Sequence, residues 1–114
     1  MLAIDTLKTL GANTEEGLTR CMGQEAFYFR MIQMVLKDGN FDRLAQAVEK
    51  GDLGDAFEAA HALKGVTGNV SLTPLYEALS DITERLRVKE DADYPTLLKA
   101  VLEQRDAFAA LCED

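Results

Sequence analysis

A chain of 114 residues suits one domain and leaves little room for a second. Hydrophobic residues make up 47% of it, enough for a packed core, which excludes a fully disordered chain. A net charge of −8 without any Lys/Arg cluster excludes a general nucleic-acid binder and disfavours docking on an anionic membrane.

No apolar run approaches the roughly 20 residues that span a bilayer. The opening Met1-Leu2-Ala3-Ile4-Asp5 lacks the basic region and long apolar stretch of a secretory signal. Cys21 and Cys112 make no CxxC pattern, so two free thiols in a reducing compartment are expected, with the cytoplasm as location. Plentiful Ala, Leu, Glu and Lys favour helix, and helical periodicity runs through most of the chain between stop signals. A first short helix is predicted over about Leu2–Leu10, ending at Gly11. Asn13, with Glu16 three residues on, reads as the cap of a second short helix reaching Met22. A third spans about Gln24–Asp38 and stops at Gly39. Asn40 caps a fourth that continues to Lys50 and stops at Gly51. Asp52 caps a fifth, to about Asn69, which carries the sequence's single histidine. Thr73-Pro74 reads as cap plus first helical residue of a sixth, to about Val88. Lys89–Asp93 is a charged turn, and a last helix runs from Tyr94-Pro95 to the C-terminus. Short connections between amphipathic helices imply antiparallel neighbours, hence an all-α bundle.

The fifth helix is the informative one. On a wheel of about 100° per residue, Ala56, Ala59, Leu63, Val66 and Val70 gather opposite His61 as the core stripe. The histidine's own sector holds Gly54, Glu58, Lys64, Gly65 and Gly68, with Phe57 on its flank. A lone histidine is more often a satisfied core or plain surface residue. Here the core is on the wrong side, and each glycine inside a helix costs about 1 kcal/mol relative to alanine. Glycines repeated on one face suggest a backbone that something bulky must approach. Neutral imidazole is a competent nucleophile near neutral pH. Lys64, one turn on, can neutralise an anionic group on the ring, and Gly65 leaves the space beside it open.

His61-Ala62-Leu63-Lys64-Gly65, followed by Gly68-Asn69-Val70, resembles the motif of histidine-containing phosphotransfer (HPt) domains. The resemblance covers nearly the whole chain, as one domain with short N-terminal helices over 1–22 and a bundle over 24–114. It implies an antiparallel four-helix bundle with the short helices over one end. It further implies that His61 takes a phosphoryl group from a receiver-domain aspartate and passes it to another, with Lys64 assisting by charge and Gly65 by access. Expected partners are the receiver domains of response regulators and hybrid histidine kinases. No ATP site or resident cofactor is expected, the Mg²⁺ belonging to the receiver, and one histidine without clustered Asp/Glu/Cys cannot build an ordinary metal site. The chain is expected to be a monomeric carrier and not an independent enzyme. Two departures stand out. Many family members have glycine where this chain has Ser71, and some have a glutamine near the phosphoryl group where Thr83 is the matching occupant; Gly68 and Thr83 are taken as supporting residues.

The helix Gln24–Asp38 carries an unusually broad apolar arc, centred on Tyr28, Ile32 and Val35, with Phe27, Met31 and Met34 along one shoulder. That shoulder either packs under the N-terminal helices or docks a receiver's helix, together with Phe57 and Glu58; methionine-rich surfaces suit partners of differing shape. Two further readings of the whole chain are open: a helical interaction module without phosphotransfer, and the phosphoacceptor domain of a chemotaxis-type kinase. Intact His61, Lys64 and Gly65 count against the first, and Leu111-Cys112-Glu113-Asp114, which offers no linker, counts against the second.

Overall fold

The computed structural model describes residues 2–113, so the first residue of the N-terminal stretch and Asp114 lie outside the described residues. Seven helices are found among these: α1 (Ile4–Thr9), α2 (Thr14–Arg20), α3 (Glu25–Leu36), α4 (Asn40–Lys50), α5 (Leu53–Asn69), α6 (Thr73–Arg87) and α7 (Tyr94–Ala110). None is long and apolar enough to cross a membrane. The fold is an all-α bundle. Helix α5 packs between α4 and α6, and α7 closes the ring against α6 and α4. Helix α3 lies against α5 and α7, as α4 does, so α3 and α4 together fill one corner of the bundle.

Local chemistry explains most of the boundaries. Asn13, Asp52 and Asp93 each accept a hydrogen bond from the backbone N–H three residues on, which satisfies a donor that the first turn leaves free. Gly51 ends α4 at φ 72°, a left-handed backbone that a side chain would resist. The break between α3 and α4 departs from expectation. Gly39 keeps a right-handed φ of −63° and is no left-handed stop, and Asn40 is already helical. Asp38 is the side chain that caps, accepting the Asn40 N–H at 2.8 Å. At α6 the cap sits one residue earlier than predicted: Leu72 precedes the helix, Thr73 is its first residue, and Pro74 falls inside the first turn, where its missing N–H costs nothing. The last helix stops at Ala110, with a turn after it.

The core centres on Tyr28, Ile32, Leu44, Leu63, Leu75, Leu79, Ile82 and Phe108, all without solvent exposure. On α5 the buried arc is wider than one stripe, taking in Ala60 and Thr67, while Val66 is only half-buried. The cause is packing on two flanks, by α4 and by α6. Thr67 tolerates burial because its hydroxyl donates to the Leu63 carbonyl at 2.8 Å.

Tyr28 joins three helices. Its hydroxyl donates to the Val70 carbonyl, 2.8 Å away, at the end of α5, and its ring lies against Gly17 of α2. A Cβ on Gly17 would stand 2.4 Å from the ring carbon and oxygen, so only glycine lets α2 come this close. Burial, with smaller contributions from Cys21 and Glu16, pushes the Tyr28 phenol up to about 12.

Two outcomes are expected in urea unfolding. Tyr28→Phe should cost about 1–2 kcal/mol by leaving the Val70 carbonyl without its donor, and Gly17→Ala should cost about 1–3 kcal/mol by overpacking. The phenol also sets a pH window. The folded state holds this proton up to about pH 12, whereas the unfolded chain releases it around 10. Its stabilisation is therefore complete below that ordinary value and is lost as pH rises between the two. Wild type should lose more stability across this window than Tyr28→Phe does.

Candidate functional site

His61 stands midway along α5, exposed, on the side away from the core. Its ring is not free to rotate at will. Phe57, one turn earlier, stacks on it with centroids 5.5 Å apart and planes at 14°. The other face of this arrangement is basic: the Arg87 guanidinium of α6 lies 5.0 Å from the Phe57 ring centroid, a cation–π distance. Arg87 donates to Glu84 from Nε and Nη2, each at 3.2 Å to the nearer oxygen, and Glu84 pairs with Lys64 Nζ at 3.7 Å. A continuous set of contacts thus leads from the imidazole through Phe57, Arg87 and Glu84 to Lys64. The Arg87 hydrogen bonds, then the charges of Arg87 and Lys64, hold the Glu84 carboxyl below the usual range, so Glu84 stays an anion that both cations share.

Beside the ring lies an open cleft of about 620 Å³. Helix α5 lines it with His61, Lys64, Gly65 and Gly68, and α6 with Tyr76, whose ring centroid is 6.0 Å from Lys64 Nζ. Glu16 and Arg20 of α2 line the same cleft. An imidazole nucleophile, an ammonium one turn away and space beside the ring are what acceptance of a bulky anionic group requires.

The glycines of this face separate by cause. A Cβ on Gly65 would meet nothing within 4 Å, so nothing among the described residues demands glycine there. Gly68 is different, because a Cβ would lie 3.1 Å from the Tyr76 ring; here the bulky neighbour is internal. Gly54 is approached only by the Asp52 carboxylate at 3.7 Å and lies away from the cleft.

Thr83 is not at the site. It is fully buried, its hydroxyl has no hydrogen-bond partner among the described residues, and it does not line the cleft. The α6 residues that meet the histidine face are instead Tyr76, Glu84 and Arg87, which the sequence reading missed. Their spacing of eight and three residues puts them on one side of a helix, but that signal has meaning only once α6 is known to lie beside α5. The shoulder of α3 divides: Met31 is half-buried against the core, whereas Phe27 and Met34 are 37% and 60% exposed. Phe57 is half-buried under its stacking partners and Glu58 is exposed. Met22 and Val88 are also largely exposed, at 76% and 70%, and were not anticipated. No group of three or more His, Cys, Asp or Glu side chains able to hold a metal occurs among the described residues, and Cys21 and Cys112 are unpaired thiols.

A family model described as Hpt domain matches residues 31–113, from within α3 to the end of the described chain. No curated relative and no solved structure matches.

The glycine geometry yields a stability test. Gly65→Ala should raise stability by about 1 kcal/mol through helix propensity alone. Gly68→Ala should gain distinctly less, since Tyr76 must give way. Equal gains in denaturant midpoint would contradict the internal role assigned to Gly68.

Proposed function

The chain belongs to the Hpt domain family of histidine phosphotransfer modules, and from that membership we propose that His61 is the phosphoryl-carrying residue of a phosphorelay. The observation that carries the proposal is the exposed, stacked imidazole with Lys64 one turn on and unfilled space over Gly65. A lone pair of the neutral ring attacks the phosphorus of an aspartyl phosphate on a receiver domain. The P–N bond forms as the P–O bond to the aspartate breaks, and the carboxylate leaves with the electron pair. The reverse exchange delivers the group to a second receiver. Lys64 offsets the charge of the phosphoryl oxygens by turning from Glu84, a partner it holds only loosely at 3.7 Å. On this reading Gly65 admits the receiver's loops, the acceptor aspartate and its Mg²⁺ come with the receiver, and the chain works without an ATP site of its own. Phe57, Glu58, Phe27 and Met34 border or extend the docking face, as a monomer working in the cytoplasm would present it.

Incubation with a phosphorylated receiver should give acid-labile label on wild type and none on His61→Gln. Lys64→Ala should slow transfer roughly tenfold, equivalent to about 1.4 kcal/mol in the transition state. Gly65→Gln should remain folded yet transfer poorly. Label that survives on His61→Gln, or receiver binding without any transfer from wild type, would refute the assignment and leave a helical interaction module.

A further inference from the structure

The cleft beside His61 is lined also by Glu16 and Arg20 of α2, a helix outside the stretch the family model matches. Its docking there is unusually specific. Ser71, in the turn between α5 and α6, has φ 56°, a left-handed conformation that glycine adopts freely and a side chain does not. The serine side chain has a use in that position: its hydroxyl donates to Glu16 Oε1 at 2.9 Å, while the Ser71 carbonyl accepts the Asn13 N–H at 2.9 Å. Glu16 therefore does not reach back to the Asn13 N–H, as a capping box would have it do. The same Oε1 instead receives Arg20 Nη2 at 3.2 Å. Ser71 positions Glu16, and Glu16 holds Arg20 at the edge of the cleft that His61 and Lys64 share.

The Glu16–Arg20 pair is about half exposed on both sides, at 47% and 49%, and such pairs are weak. A phosphoryl group bears close to two negative charges and offers a guanidinium two oxygens at once, a stronger partner than one carboxylate oxygen. We propose that Arg20 is a second phosphate-binding cation of the His61 site, parked on Glu16 while the imidazole is free and transferred to the phosphoryl oxygens once it is phosphorylated. Lys64 approaches from α5 and Arg20 from α2, so the group is held between two cations and the receiver retains the open side over Gly65. The inference rests on His61 as the phosphoryl acceptor.

The test uses potassium phosphoramidate as a small donor without any receiver: its P–N bond breaks, ammonia leaves, and a P–N bond to the imidazole forms. Labelling rate and the pH titration of the phosphohistidine ³¹P resonance are read together. Arg20→Ala should label roughly threefold to fivefold more slowly, the scale of a half-exposed ion pair. Its phosphoryl titration should shift to higher pH, because a nearby cation favours the dianion. Arg20→Lys, which keeps the charge but not the paired donors, should recover part of both effects, and Glu16→Gln, which releases Arg20, should label faster than wild type. Arg20→Ala behaving as wild type in rate and titration overturns the inference, with His61 still labelled. So does Arg20→Lys falling as far as Arg20→Ala. Should Arg20→Ala melt early, an unchanged rate in Glu16→Gln overturns it instead. Wild type that takes no label on His61 refutes the acceptor assignment itself, and the role of Arg20 with it.

Discussion

The carbonyl of Val70, left without a helical donor where α5 ends, decides how the two ends of the chain meet. A buried carbonyl must find a donor, and the one it finds is the Tyr28 hydroxyl, 42 residues away in sequence. For the phenol to reach it, the ring must pass across α2, and that crossing is open only because residue 17 has no side chain. The bond fixes α3 against the end of α5 and draws α2 over the same corner. Beside it, Ser71 fastens the N-terminal segment to the histidine's cleft by accepting the Asn13 N–H and donating to Glu16.

At the site the requirements conflict, and the arrangement meets them separately. The proposed nucleophile must be exposed, yet an exposed imidazole on a helix samples several rotamers. Stacking on Phe57, itself covered by Arg87, restrains the ring without removing it from water. The cations have the opposite problem, since unpaired ammonium and guanidinium groups close together would repel one another. Lys64 and Arg87 share Glu84, and Arg20 rests on Glu16. These are surface pairs of small individual worth, so an incoming anion can redistribute them at little cost. Strong pairs would have held the cations where they are.

Glycine and serine at the end of α5 show how one residue type can answer to different causes. Gly68 is crowded by Tyr76 and Gly65 by nothing among the described residues, although the sequence presents them as equivalent members of one face. Ser71 occupies a backbone conformation suited to glycine, and its hydroxyl has an identifiable partner in Glu16. Its departure from the family's glycine therefore has a physical account in the tether between α2 and the α5–α6 turn.

Much of the fold was legible without coordinates, because helix periodicity, Asn13, Asp52 and Asp93 caps and the Gly51 stop are local effects carried by residues a few positions apart. The outward aspect of His61 was legible for the same reason: a wheel needs only its own helix. Local reasoning failed at Gly39–Asn40, where Asp38 is the cap, and at Thr83, where register within α6 turned the side chain inward. What tertiary structure alone decided is which faces meet. The pairing of α5 with α6 chose Tyr76, Glu84 and Arg87 as the histidine's neighbours, and the tether from Ser71 through Glu16 holds Arg20 at the same cleft from more than forty residues away in sequence. Sequence determines the helices and the side each one presents, since those depend on short-range hydrogen bonds and spacing; the company a residue keeps across helices depends on how buried surfaces fit together.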